Sequence, residues 1–330
     1  MQVGFFFWPY TPQLVEQLAE RADRYGYAMI GIADTPGNAM DPWIAAALAG
    51  RATRKTRVAI CVSNLVTRHP AVSAAAVASL DLVTDGRAVL GIGAGHSGTR
   101  NLGQRKSTAK ELAEGTRFIR RLLRKESVQA GEGEAYISWV KRPAPVFLAA
   151  SHPKALAAAG SEADGVFANY GLAAENIADS EKRVRDAARE AGRSLDDVEI
   201  WQIAALDCNE KGDLAREKVG AMLAFLAGYV IGDKNLETRG VPEQYREPLL
   251  ELRRRYSTRP GEADIKLVRE LGLFDYLSRR LSICGTPADC LAQARAAKAS
   301  GAERLMLTVS LAADPVRTVE LFGEHVLPRL

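Results

Sequence analysis

The chain is short of the residues from which metal centres and disulfide frameworks are built. Its 330 residues include only four cysteines and four histidines. Cys61, Cys208, Cys284 and Cys290 lack metal-type pairing, and the last two stand too far apart for a C-x-x-C motif. Buried, reduced thiols are expected. The histidines, at positions 69, 96, 152 and 325, are dispersed, which argues against a His-based metal site. No apolar run reaches the roughly 18 residues of a bilayer-spanning helix, so no membrane partner is expected. Charge of one sign is missing too: the net charge is +4, and basic residues mix with acids along segments such as 181–193, leaving no stripe suited to nucleic acid. The N-terminal Met1-Gln2-Val3-Gly4-Phe5 carries no basic region before it and no cleavage site after it, which predicts a cytoplasmic protein. Internal repeats and low-complexity tracts are absent.

What is present is a strand-helix rhythm. At 47% apolar and 25% charged, the composition suits a soluble enzyme-sized protein, either two average domains or one large α/β barrel. The clearest unit runs from Arg57 to Gly95. Arg57 to Asn64 reads as a buried strand, Pro70 opens a helix, Asp85-Gly86 turns the chain, and Ala88 to Ile92 is a second buried strand ending in glycines. The spacing of Val72, Ala75, Ala76, Ser79, Leu80 and Val83 predicts the buried face of that helix. Around this unit, further strands are predicted over 3–8, 28–33, 146–150, 165–169, 198–206 and 304–309. Thr11, Asp41-Pro42, Thr108 to Glu111, Pro153, Thr286-Pro287 and Pro315 mark helix starts. Segment 127–139 reads as a hairpin or Gly-turned excursion. Eight strands alternating with helices predict a single (β/α)8 barrel domain over 1–330, with an insertion at 229–283 after strand seven that folds over the barrel mouth.

In such barrels the chemistry sits at the C-terminal ends of the strands. The candidates are therefore Phe6 to Pro9, Asp34-Thr35, Ser63 to His69, Gly93 to His96, Ser151-His152, Asn169-Tyr170, Asp207, and Thr308 to Ser310. Gly93, Gly95 and Gly98 satisfy G-x-G-x-x-G, but no helix follows at once over 99–106 and the barrel rhythm contradicts a Rossmann sheet. Those glycines more simply let a flat ring approach the backbone, or allow a turn. Ser151 and His152 open a helix, where free N–H groups and the dipole attract an anion. A histidine titrates near neutrality, which makes His96 a candidate proton donor, with Asp34 as the alternative. Phe6, Phe7, Trp8 and Trp43 are candidates to wall an apolar pocket. His69, before Pro70, is expected to cap a helix or pack beneath the site.

The stretch SNLVTRHPAVSAAAVASLDLVTDGRAVLGIGAG resembles the signature of the bacterial-luciferase-like flavoproteins, within them the methylenetetrahydromethanopterin reductase branch, which uses the deazaflavin coenzyme F420. Weaker echoes lie in AASHPKALAAAGSEADGVFANYG and ICGTPADCLAQARAAKASGAERLMLT. The resemblance implies a non-proline cis peptide at Cys61-Val62 whose bulge backs the cofactor ring. It implies Asp34, Asn64, Thr67 and Gly95 around that ring, and Ser151, His152 and Gly165 at its phosphate. Members of the branch carry acidic residues where this chain has Phe6 and His96, and histidine where it has Thr35, so the methanopterin substrate is not implied. The expectation is an F420-dependent oxidoreductase moving hydride to or from an activated C=C, C=N or carbonyl-type small molecule, and homodimeric like its relatives. The alternatives are an FMN-dependent monooxygenase on the same fold and a flavin-binding protein without turnover.

Overall fold

The computed structural model describes residues 1–230 and 236–330. Eight strands, Gln2–Phe7, Met29–Ile32, Arg57–Asn64, Ala88–Gly93, Val146–Ala150, Gly165–Ala168, Glu199–Cys208 and Arg304–Thr308, pair in chain order, and the eighth returns to the first. The result is a closed parallel (β/α)8 barrel. Its strands are apolar along nearly their whole length because a sheet covered on both faces has no solvent side. The chain divides into two compact units, one of Phe6–Phe167 with Lys182–Ile200, the other of Met1–Phe5, Ala168–Glu181 and Trp201–Leu330.

In the first unit the helix starts follow the sequence. Asp41 accepts the Trp43 and Ile44 N–H groups at 2.9 and 3.2 Å, and Thr108 and Glu111 form a reciprocal capping box. Segment 127–139 contains the antiparallel pair Val128–Ala130 and Gly133–Ala135. The face of helix Pro70–Thr84 is a correction. The buried side carries Ser73, Ala74, Val77, Ala78, Leu80, Asp81 and Thr84, while Val72, Ser79 and Val83 are exposed. The helix is apolar nearly all round, so periodicity alone could not choose a side. Asp81 is tolerated inside because Arg142 pairs with it at 2.8 Å. At the strand starts Arg120 grips Asp164 at 2.6 Å, and Asp164 in turn accepts the Val146 N–H at 2.9 Å.

The second unit holds the insertion. Of the span 229–283, residues 231–235 lie outside the described residues. Within it lie helices Glu243–Arg255, Glu262–Glu270 and Phe274–Leu281 and a short strand, Ser282–Gly285, which pairs with Glu199–Cys208. Leu249, Leu252, Val268, Leu277 and Leu281 bury themselves against Val219, Met222 and Leu223 of helix Gly212–Val230. This is a core of its own, which short apolar runs broken by prolines did not announce.

Candidate active site

The third strand ends in a bulge. Its ladder to the fourth strand shifts register between Ile60 and Ser63, and the Cys61–Val62 peptide bond is cis. Val62 thereby stands over the fourth strand: a Cβ added to Gly91 or Gly93 would lie 2.7 or 2.8 Å from its methyl groups. Glycine at both positions lets Val62 pack directly on the backbone of the fourth strand, which forms the floor. Gly95 has φ +83°, and a Cβ there would strike the Thr99 methyl. The Cys61 thiol is buried, which pushes its pKa far up and removes it as a nucleophile.

The loops after the second, third and fourth strands converge around this floor. The Ser63 hydroxyl donates to Asp34 Oδ2 at 2.7 Å. Burial raises the Asp34 pKa and nearby Asp41 adds to that, while the Ser63 bond and Arg68 oppose it. Thr35 Oγ1 donates to Ser97 Oγ at 2.8 Å. Asn64 Oδ1 accepts the N–H groups of Val66 and Thr67 at 2.9 and 2.8 Å and the Thr67 hydroxyl at 3.2 Å. Half-buried His96 precedes the single-turn helix Ser97–Arg100, and its side chain does not cap it. His69 does cap: its Nδ1 accepts the Ala71 N–H at 3.2 Å, and its ring packs edge-on to Phe118. Trp8 is buried in T-shaped contact with Tyr10, Phe6 is half-buried, and Arg68 lies over the Trp43 ring at 5.5 Å.

Ser151, buried, and His152, half-buried, end the fifth strand and open helix Pro153–Glu162, and His152 makes no side-chain cap. Gly165 is not brought to them. It begins the sixth strand, where Asp164 N–H bonds to Val146 at the start of the fifth, roughly 15 Å along the strand from Ser151. Gly165 is glycine because a Cβ would sit 2.6 Å from the Phe147 ring. It is a packing residue, and the phosphate assignment to it is withdrawn.

In the second unit, sequence reasoning missed Arg280. It is buried and donates to the carbonyls of Arg239 at 2.7 Å and Tyr170 at 3.3 Å and to the Tyr276 hydroxyl at 2.6 Å, and its Nε is unpartnered. Burial, with Arg280 and Arg253 nearby, lowers Arg239 to about 10. Such concentrated positive charge suits an anionic group. In sequence, Arg279-Arg280 looks like any basic helix end. Asn169 is buried with Oδ1 unpartnered, and Thr308 and Ser310 share a 3.0 Å hydrogen bond.

Asp207 is fully buried, and burial pushes its pKa up to about 6 despite hydrogen bonds from Ala313 N–H and Thr318. The folded state thus holds a proton that the unfolded chain, at 3.8, releases first. The contribution of Asp207 to stability is fully present below pH 3.8 and is lost as pH rises through about 6, a difference of about 3 kcal/mol from this one group. Asp207→Asn is expected to flatten that fall in denaturant titrations run from pH 4 to 7; an unchanged slope would remove Asp207 as its source.

Against this geometry, the family model described as luciferase-like monooxygenase matches residues 9–304. The chain belongs to that family. This luciferase-like protein is 25% identical to 5,10-methylenetetrahydromethanopterin reductase of Methanolobus tindarius, covering 99% of this chain and 100% of the relative. It is also 25% identical to the F420-dependent glucose-6-phosphate dehydrogenase of Amycolatopsis mediterranei, covering 97% and 95%. The solved coenzyme F420 dependent tetrahydromethanopterin reductase of Methanopyrus kandleri superposes on the luciferase-like barrel with a TM-score of 0.82 over 99% of each chain at 22% identity, which shows the shared fold.

Proposed function

We propose that this chain is an F420-dependent oxidoreductase that moves a hydride to or from an activated C=C, C=N or carbonyl-type small molecule, with residues 1–330 acting as one catalytic domain. The observation that carries the reading is the third-strand bulge that packs Val62 on Gly91 and Gly93, with Asp34 and Asn64 bound into the adjoining loops. The names of the F420-dependent relatives support it.

The residues fit a flat, phosphate-bearing group. A Cβ at Gly95 would strike Thr99 and one at Gly98 would lie 3.1 Å from the Asp34 carbonyl oxygen, so these glycines let the loop after the fourth strand close on the Asp34 loop beside the place of the ring. Helix Pro153–Glu162 turns its positive dipole end, beside Ser151 and His152, toward a phosphate; Pro153 has no N–H and the Ala155 and Leu156 N–H groups already bond to the His152 carbonyl, so the dipole carries the attraction. Bound there, F420 supplies a hydride donor or acceptor. Cys61, Val62, Asn64, Thr67 and Gly95 seat the ring, and Asp34, fixed by Ser63, orients its polar edge. His96 gives a proton to the substrate atom beside the one that gains hydride. The reading carries a homodimer, for which the outward Val72, Leu82 and Val83 offer an apolar face; a monomeric mass in solution would overturn that part.

The test is a paired titration of the purified protein with F420 and with FMN, followed by fluorescence quenching. Binding of F420 at least about tenfold tighter, a difference of about 1.4 kcal/mol, is expected. The reverse order would replace the reading with an FMN-dependent monooxygenase, the chemistry named in the family description.

A further inference from the structure

Asp34 and His96 end different strands, and each is followed by a hydroxyl residue. Thr35 and Ser97 are 2% and 7% exposed, and their hydroxyls meet at 2.8 Å. Behind His96, its carbonyl accepts the Arg100 N–H at 2.8 Å, which fixes the backbone there. Beside it, Gly98 presses on the Asp34 carbonyl and the Asn64 side-chain amide, at 3.1 and 3.3 Å from where a Cβ would stand. Farther out, Asn101 Nδ2 reaches Asn38 Oδ1 at 3.4 Å. The loop carrying His96 is thus held to the loop carrying Asp34 at several points, of which the buried Thr35–Ser97 bond lies nearest both.

We propose that Thr35 and Ser97 are positioning residues: their hydrogen bond sets the place of the His96 imidazole relative to Asp34, and neither hydroxyl touches the substrate. This rests on the reading of His96 as proton donor. His96 lies one residue from Ser97, and Asp34 one residue from Thr35, so any displacement of the bond is passed to both by a single peptide unit. A buried hydroxyl pair that loses one member leaves the other unsatisfied, and the loops then part or admit water.

The experiment uses the cofactor-free full chain. The His96 ring signals are assigned by their loss in His96→Ala, then followed by NMR against pH in Thr35→Val, Ser97→Ala, the double variant and Thr35→Ser. In Thr35→Val and Ser97→Ala the titration midpoint of His96 is expected to move by at least ~0.5 pH unit, a displacement well within what neighbouring groups impose on histidine. The double variant should match the singles, and Thr35→Ser should restore the parent curve. An unchanged His96 titration, with only the melting temperature lowered, would make the bond a mere brace and overturn the proposal. Should Thr35→Val fail to fold, Ser97→Ala against Thr35→Ser decides the matter. With F420 added, a moved titration together with normal turnover in His96→Ala would instead sink the proton-donor reading and leave the positioning intact.

Discussion

His96→Ala is expected to lower turnover at least about a hundredfold while leaving F420 affinity nearly unchanged. A positioned general acid contributes roughly 10²–10⁴ in rate, and His96 is the one histidine at a strand end of the first unit that is not part of a helix-capping bond or the first residue before the Pro153 helix. Affinity should hold because the floor, Asp34 and the Pro153 helix are untouched. The check is steady-state kinetics with the best acceptor found among enones, imines and aldehydes, paired with an F420 binding curve. Turnover equal to the parent would remove His96 as the donor; a large loss in Asp34→Asn would then move the role to Asp34, whose burial already favours the protonated form. His69→Ala serves as the contrast. It should cost about 1 kcal/mol of stability through the lost helix cap, with little effect on rate.

Gly91→Ala is expected to destabilise the chain by about 3 kcal/mol, the upper part of the range for overpacked cores. The new Cβ would lie 2.5 Å from the Ile60 carbonyl oxygen, 2.7 Å from a Val62 methyl and 2.9 Å from the Phe167 ring. A side chain can rotate away; the Ile60 backbone is held in the ladder between the third and fourth strands. The damage also reaches function, since Val62 is the residue displaced. Urea unfolding should show a lowered midpoint at unchanged slope. Gly133→Ala, with open space around its Cα, is the control and should stay within about 0.5 kcal/mol of the parent.

Much of this could be read from residues alone. Eight strands, their order and most helix caps follow from alternation, proline and capping hydroxyls, because each is a local signal. The bulge at Cys61–Val62 was reached by resemblance, since nothing in a run of apolar residues marks which peptide departs from the ladder. The failures share a cause: they depend on distance in space. Gly165 stands one residue after Asp164, yet chain order does not say that both lie at the start of the strand, away from Ser151. The inward side of Pro70–Thr84 was settled by Arg142 reaching Asp81, sixty-one residues away in sequence. Arg280 becomes a candidate only once the fold buries it and turns its guanidinium onto the Arg239 and Tyr170 carbonyls and the Tyr276 hydroxyl.

Asn64 has one further consequence. Its oxygen already gathers three donors from Val66 and Thr67, so the loop behind the floor is closed before anything arrives. A ligand settling there need not order that loop, and the conformational entropy of that segment is spent at folding rather than at binding. That loop is in this respect set by folding, and a flat ligand meets there a shape already made.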